Sequence, residues 1–410
     1  MPTINAARVL ADLNRLRDFG RYQTGVHRPS LSAEHNASCH WFAGRMAEAG
    51  LEPSFDGIGN VYGMAPGCTR KLLTGSHLES QNYAGWLDGP LGVIYGLEAA
   101  RVINVDPAFA GKGVDVGVWC DEEGHFGHFL GSRSFVDGLS EADIDGAIDR
   151  TDGRKMRDAL GAAGLADKAR RRVKPDEYIG YLEAHIEQGD WLESNNLKLG
   201  VVTSIVGIWQ FKVTFTGAQN HAGTTRMAIR KDAGVALTEL CGAIARRFPQ
   251  VAGPRSVWTT GRITLDPGAP SIIPGGAEML FQIRDADHDT LKRLEATLVE
   301  LVGASDKAGP CRASVEALRK SYPAVMDANI QAALEVASEG LAPGGHTRMP
   351  SGAGHDAQVL SKVMPAGMLF VPSIGGISHH WTENTSDEDI VRGAQAFAMA
   401  CGSLLLAANL

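Results

Sequence analysis

The chain has 410 residues, 44% hydrophobic and 21% charged, with a net charge of −8. That length exceeds one ordinary core and predicts two domains, while the acidic balance excludes a nucleic-acid-binding surface. The six cysteines are scattered and form no CxxC pair, which fits a reducing compartment, hence the cytoplasm, and offers no cysteine metal site.

The opening MPTINAARVLADLNRLRDFG reads as an amphipathic helix, with neither the apolar h-region nor the cleavage site of a secretory leader. Ser32 caps a helix to about Ala49, ended by Gly50. LLTGSH (72–77) and VDVGVWC (114–120) are short apolar runs of the buried-strand kind. Between them Asp88 and Pro90 open a helix through Ile103, the acid as cap and the proline in the first turn. Such alternation predicts an α/β domain with a largely parallel sheet.

Near residue 208 the pattern changes. In IWQFKVTFT, Trp209, Phe211, Val213 and Phe215 share one face and Gln210, Lys212, Thr214 and Thr216 the other. A helix (231–248), strands (256–264 and 277–284), a helix (288–303) and a strand (312–319) follow. That order, β-α-β-β-α-β, is a ferredoxin-like α+β unit. Helices resume at 327–340 and 355–363, then the strand GMLFVPS (367–373), then a last helix from Ser386, with Asp389 placed as in a capping box. The uncharged stretch Gly393–Leu410, diluted by Gln395, Ser403 and Asn409, fits a docked terminal helix and not a membrane span. The expected organisation is a catalytic domain in two parts, 1–207 and 318–410, around an insert, 208–317, serving as a lid or oligomerisation module. The basic run Arg170, Arg171, Arg172 and Lys174 reads as a solvated loop or helix end.

The chemistry lies in polar residues placed at apolar strand ends or beside glycine: His77 (GSHLES), Asp88 (WLDGPLG), Glu123 (CDEEGHFG), His185 (EAHIEQG) and His379 (GISHHWTEN). Each alone has an ordinary explanation; a histidine can satisfy a strand end, and an aspartate can cap a helix. Together, two carboxylates and three imidazoles can hold two zinc-like ions if one carboxylate is shared. Glu79 is placed to accept the other N–H of His77. Adjacent acids after VGVW are costly at a buried strand end unless paired or coordinated. Glu122 and Glu123 point to opposite sides of an extended backbone, so one can bind metal while the other faces substrate and water as a base. His379 has His380 beside it, and adjacency leaves open which ring coordinates. In GHFGHFLGSR, His125 and His128 read as hydrogen-bonding within a glycine-rich loop. The run PGGHTRMPSGAGHDA, with His346, Gly354 and His355, implies close backbone approach to a ligand or tight turns. A rival reading makes Cys120 a nucleophile with Glu122 as base and His125 as partner. It leaves His77, Asp88, His185 and His379 without a role, and a buried small hydrophobe is the better account of Cys120.

At GSHLES, LDGPLGV, DEEGHF, GSR, HIEQG, FTGAQNHAGTTRM, MPSGAGHDA and FVPSIGGISH the chain resembles the hydantoinase/carbamoylase amidases, a branch of the zinc aminoacylase and carboxypeptidase superfamily. The resemblance implies a discontinuous zinc-peptidase-like catalytic domain with a mixed sheet, in which Asp88 bridges two divalent ions, zinc foremost, with manganese, cobalt or nickel as alternatives. His77 and His185 would complete one site, Glu123 and His379 the other, and Glu122 would be the general base. It further implies that His221 reaches the active site of a partner subunit in a homodimer formed through the lid, and that Gln188 and Arg284 hold a substrate carboxylate. Ser271 and Gly354 complete the expected substrate contacts. Glu79, Ser271, Gln282 and Asp121 depart from residues usual in the family, which bears on the substrate and not on the ligand set. The implied activity is hydrolysis of a non-peptide C–N bond in a small carboxylate-bearing ureido compound, an N-carbamoyl amino acid foremost, releasing ammonia and carbon dioxide. Alternatives are allantoate hydrolysis, an aminoacylase or dipeptidase activity, and a non-catalytic binding protein. No nucleic-acid or membrane partner is expected.

Overall fold

The computed structural model describes residues 1–174 and 176–408; Asn409, at the end of the predicted terminal helix, lies outside them. The chain divides into two compact units, residues 1–203 with 325–410, and residues 204–324.

The first unit is built on a sheet whose strands are β1 (Glu52–Phe55), β2 (Val61–Met64), β3 (Arg70–His77), β4 (Lys112–Trp119), β5 (Tyr181–Ile186), β6 (Leu199–Ile205), β7 (Ala324–Val325), β8 (His346–Ser351) and β9 (Ala366–Val371). Their order is β7-β6-β9-β5-β3-β4-β2-β1, with β8 paired to β6. The central four, β9, β5, β3 and β4, run parallel. β6 and β2 pair antiparallel to the outer members of that group, so the sheet is mixed around a parallel centre, as the resemblance implies. β5 and β9 are buried along their whole length, as strands covered on both faces must be. From β3 the chain moves to β4 on one side and returns at β5 on the other. This reversal opens a crevice at the strands' carboxyl ends, where α/β sheets bind ligands.

The helices that pack this sheet are α1 (Ala6–Arg17), α2 (Ala33–Glu48), α3 (Pro90–Ile103), α4 (Ala328–Leu341), α5 (Asp356–Leu360) and α6 (Asp387–Ala407). Ser32 caps α2 by accepting the His35 N–H, and Gly50 beyond it is left-handed. Ser386 caps α6 by accepting the Asp389 N–H. α6 is long and apolar enough to cross a membrane by length and composition, yet just over half of that stretch is buried inside the protein, packed on α3 and α4. α5 is shorter than predicted. It ends at Leu360, and turns carry the chain on to Pro365, which has no N–H to continue a helix.

In the second unit the strands Gly207–Thr216, Val257–Asp266, Gly276–Asp285 and Arg312–Lys320 form an antiparallel sheet ordered second–third–first–fourth. The helices Ala233–Arg247 and His288–Ala308 connect them. Trp209, Phe211, Val213, Phe215, Met279, Phe281 and Ile283 pack with Leu237, Leu240, Leu291, Leu294 and Leu298 into a core of its own. The intervening Gln210, Lys212 and Thr214 are half-exposed, as strict alternation requires. Val257–Asp266 is an outer strand and mostly exposed.

Candidate active site

The carboxyl ends of the central strands deliver the candidate ligands. β3 ends on His77, β5 carries His185, the turn after β4 presents Glu122 and Glu123, and the loop after β9 brings in His379. Asp88 arrives from the loop before α3, and there the sequence reading needs correction. The cap of α3 is Gly89, at φ 84°, and no side chain caps the helix. A Cβ on Gly89 would stand 2.5 Å from the His77 ring. Glycine thus supplies the left-handed turn and the close approach, and the Asp88 carboxylate is turned to the histidines.

The two oxygens of that carboxylate face different neighbours. Oδ1 lies 3.3 Å from His77 Nε2 and 3.1 Å from His185 Nε2. Oδ2 lies 3.4 Å from His379 Nε2, which in turn is 3.6 Å from Glu123 Oε2. His77, Asp88 and His185 bring donor atoms within 4.8 Å of one another, as do Asp88, Glu123 and His379. Glu122 Oε2 stands 3.7 Å from His77 Nε2. Of the adjacent pair, His379 joins the cluster, while His380 Nδ1 hydrogen-bonds to Thr382 Oγ1 at 2.7 Å.

The donor set fits cations on the evidence of its own hydrogen bonds. His77 Nδ1 donates to the Glu79 carbonyl (3.0 Å) and His185 Nδ1 to the Ile186 carbonyl (2.9 Å). Each ring therefore turns Nε2 on Asp88, and a neutral ring sets a lone pair against a carboxylate oxygen unless a proton or metal ion lies between. His77 Nε2 is buried and makes no hydrogen bond, its 3.3 Å approach to Asp88 being off line for one.

Electrostatics follow from this crowding of charge. Burial opposes charge on His77, but Glu122, Asp88 and Glu79 outweigh it and raise the imidazole well above its ordinary range. His379 is raised to about 9, burial being overcome by Asp88 and Glu123. Burial also works against the Asp88 anion, yet His185, His379 and His77 hold it well below the usual carboxylate range. Glu122 goes the other way. Burial first, then Asp356, Glu123 and Asp88, push it well above that range, with His77 opposing. A buried carboxyl held above its ordinary range is a candidate proton carrier.

Neighbouring side chains fix these groups. Gln81 grips Glu123, its backbone N–H on Oε1 at 3.0 Å and its Nε2 on Oε2 at 2.7 Å. Gln188 Nε2 donates to Asp88 Oδ2 at 2.7 Å and lies 3.3 Å from His379 Nε2, so it stands inside the cluster. Glu79 corrects another expectation. Its backbone carbonyl, not its carboxylate, receives the His77 N–H, and Oε1 instead accepts the Glu122 N–H at 2.6 Å. Asp121, Gln188 and His379, all in loops at this edge, have φ of 63°, 60° and 56°, a backbone costly for residues other than glycine. Asp121 accepts the N–H groups of His125, Phe126 and Gly127, organising the loop after Glu123. Gly354 lies against Phe129, where a Cβ would come within 2.9 Å of the ring.

His221, Ser271 and Arg284 lie in the second unit. The short strand Asn220–His221 pairs with Ile272–Ile273, directly after Ser271, and the Ala222 N–H donates to the Ser271 carbonyl at 2.9 Å. His221 is exposed, and its Nδ1 accepts the N–H groups of Gly223 (3.0 Å) and Thr224 (3.2 Å). The ring hydrogen is thereby on Nε2, facing outward as a donor. Arg284 Nε donates to Gln282 Oε1 at 2.7 Å.

Other readings close. Cys120 is buried, and burial with Glu79 and Asp121 nearby drives its thiol well above the ordinary value, the reverse of an activated nucleophile. Arg170, Arg171 and Arg172 pair with Glu141, Glu177 and Asp137. His125 hydrogen-bonds with Ser30 Oγ at 3.2 Å, outside the glycine-rich loop in which the sequence reading kept it. Sequence reasoning missed Gln81, Ser378 and Glu383, all in contact with the candidate ligands. The signal available was their position within four residues of a candidate ligand.

Residues 72–402 match the profile of peptidase family M20/M25/M40. The chain belongs to this family. Among solved structures it is similar to an amidase (hydantoinase/carbamoylase family) from Burkholderia phymatum, 44% identical with a TM-score of 0.92 and 99% of each chain covered. An N-carbamoyl-L-amino-acid amidohydrolase of Paenarthrobacter aurescens is 31% identical, covering 95% of this chain and 96% of that one. An allantoate amidohydrolase of Bacillus subtilis is 32% identical, covering 86% of each. The M20 family is hydrolytic and metal-dependent, which accords with the His and carboxylate groups gathered around Asp88.

Proposed function

We propose that this M20 protein is a dinuclear-metal amidohydrolase that cleaves a ureido C–N bond in a small carboxylate-bearing molecule, an N-carbamoyl amino acid foremost. The observation that carries this reading is the Asp88 carboxylate, with Oδ1 turned to His77 and His185 and Oδ2 to His379 beside Glu123. One shared carboxylate between two such sets is what a pair of divalent ions requires. His77, Asp88 and His185 would hold one ion, and Asp88, Glu123 and His379 the other. When bound, such ions supply Lewis acidity, acidifying water and polarising a carbonyl.

The protein's own groups do the rest. Glu122, raised by burial, takes a proton as water attacks the ureido carbonyl and returns it to the departing amino nitrogen. Water adds to the carbonyl carbon, the C–N bond to the amino acid breaks, and the carbamic acid released falls to ammonia and carbon dioxide. His221, with its hydrogen fixed on Nε2, donates to the oxygen that gains charge. Its exposure supports delivery to a partner subunit in a homodimer, with the ferredoxin-like insert as lid and dimerisation module. The exposed outer strand Val257–Asp266 supports a contact there. Arg284, held by Gln282, and Gln188 are the proposed partners of the substrate carboxylate, with Ser271 and Gly354 as further contacts. All six cysteines are free, in keeping with a cytoplasmic setting.

Similarity to an allantoate amidohydrolase of comparable identity supports allantoate as a second substrate class, which carries the same ureido and carboxylate groups. The test is release of ammonia and amine from N-carbamoyl amino acids, allantoate, N-acyl amino acids and dipeptides, after chelation and return of Zn, Mn, Co or Ni. Turnover confined to N-acyl amino acids or dipeptides, or insensitive to chelation, overturns the reading.

A further inference from the structure

Behind Asp88 lies a carboxylate that the scheme above does not use. Glu383 is 1% exposed. Its Oε1 accepts the backbone N–H groups of Leu87 (3.2 Å) and Asp88 (3.1 Å), and its Oε2 lies 3.2 Å from Ser378 Oγ. Ser378 Oγ also stands 3.1 Å from Asp88 Oδ2 and receives Gln188 Nε2 at 3.2 Å. One serine proton thus faces two carboxylates. Gly85 belongs to the same arrangement, because a Cβ there would lie 1.9 Å from the Glu383 carboxyl carbon. The segment 85–88 is therefore shaped around Glu383 on its way to delivering Asp88.

We propose that Glu383 is a positioning residue, which pins the Leu87–Asp88 backbone and, through Ser378, sets the Asp88 carboxylate so that one oxygen meets His77 and His185 and the other meets His379. The inference rests on the two-ion reading and deepens it. Backbone N–H groups held by a buried carboxylate leave the loop little freedom, and an outer hydrogen-bonding partner of this kind governs how well a shared ligand serves both sites. The chemistry distinguishes the substitutions. Glutamine keeps Oε1 for both N–H groups, and its amide donates to Ser378, which then gives its proton to Asp88. Aspartate is a methylene too short to reach both N–H groups, and alanine orphans them.

The experiment strips full-length wild type, E383A, E383D, E383Q and S378A with a chelator and titrates each with Co²⁺ by calorimetry, alongside kcat, KM and the unfolding midpoint. Wild type takes up two ions. E383A and E383D bind one of the two at least about tenfold more weakly, the size of a lost charge-assisted hydrogen bond, with kcat reduced and KM little changed. S378A weakens the same ion, and E383Q stays within about threefold of wild type for both, as a retained acceptor predicts. A merely structural Glu383 lowers the midpoint and leaves both affinities alone. If E383A does not fold, E383D and S378A decide, and wild-type affinities for both ions in those variants overturn the proposal. If wild type itself takes up fewer than two ions, the two-ion reading fails instead.

Discussion

Glu79 Oε1 accepts the backbone N–H of Glu122 at 2.6 Å, so the candidate base hangs from the residue two positions beyond a candidate ligand. Removing that acceptor leaves a buried N–H unpaired, a cost of about 1–3 kcal/mol. Glu79→Ala is expected to lower kcat about tenfold or more on that scale, with metal content unchanged. Glu79→Gln keeps the acceptor and most of the rate. Metal analysis beside steady-state kinetics checks this, and equal losses in both variants would mean that the charge, not the hydrogen bond, matters.

Glu122 Oε2 stands 3.7 Å from His77 Nε2, and the group is proposed to move protons. Glu122→Gln should retain bound metal and lose turnover by about 10²–10⁴-fold, the usual weight of general acid–base catalysis. Retained turnover removes Glu122 from the mechanism.

His221 presents Nε2–H outward from a turn that locks its tautomer. His221→Ala should cost about 10²–10³-fold in kcat, as loss of an oxyanion donor does, and leave metal content intact. Mixing that variant with Glu122→Gln should restore activity through hybrid dimers, each containing one site with both intact residues. Absence of recovery after subunit exchange argues for a donor acting within one chain.

Ser386 caps α6, whose buried face includes Ile390, Phe397, Ala400 and Leu405. Ser386→Ala is expected to lower the unfolding free energy by about 1 kcal/mol without altering metal affinity. A denaturant midpoint with an unchanged slope reads the first, and a metal titration reads the second.

What the sequence made legible follows from where its periodicities are strong. The strand through Trp209, Phe211, Val213 and Phe215 alternates because one face meets two helices, and a single chain segment records that. Ser32 and Ser386 announce their helices locally. The candidate ligands stood out because charged groups at apolar strand ends need partners. What could not be read depends on residues distant in the chain. Asp88 looked like a cap because nothing local discloses that Gly89 turns it toward His185. Glu79 looked like a partner for the His77 ring, yet its carboxylate reaches a backbone N–H in the turn after β4. Gln81 and Glu383 are ordinary polar residues until the fold sets them against Glu123 and Asp88.

The left-handed backbone at Gln188 and His379 has a consequence for engineering. Glycine would relax each of these positions by about 1 kcal/mol or more while deleting the side chain that the distorted loop exists to aim. A search for more heat-resistant variants, scored on melting alone, would therefore gather substitutions at this rim and return sturdier proteins with idle sites.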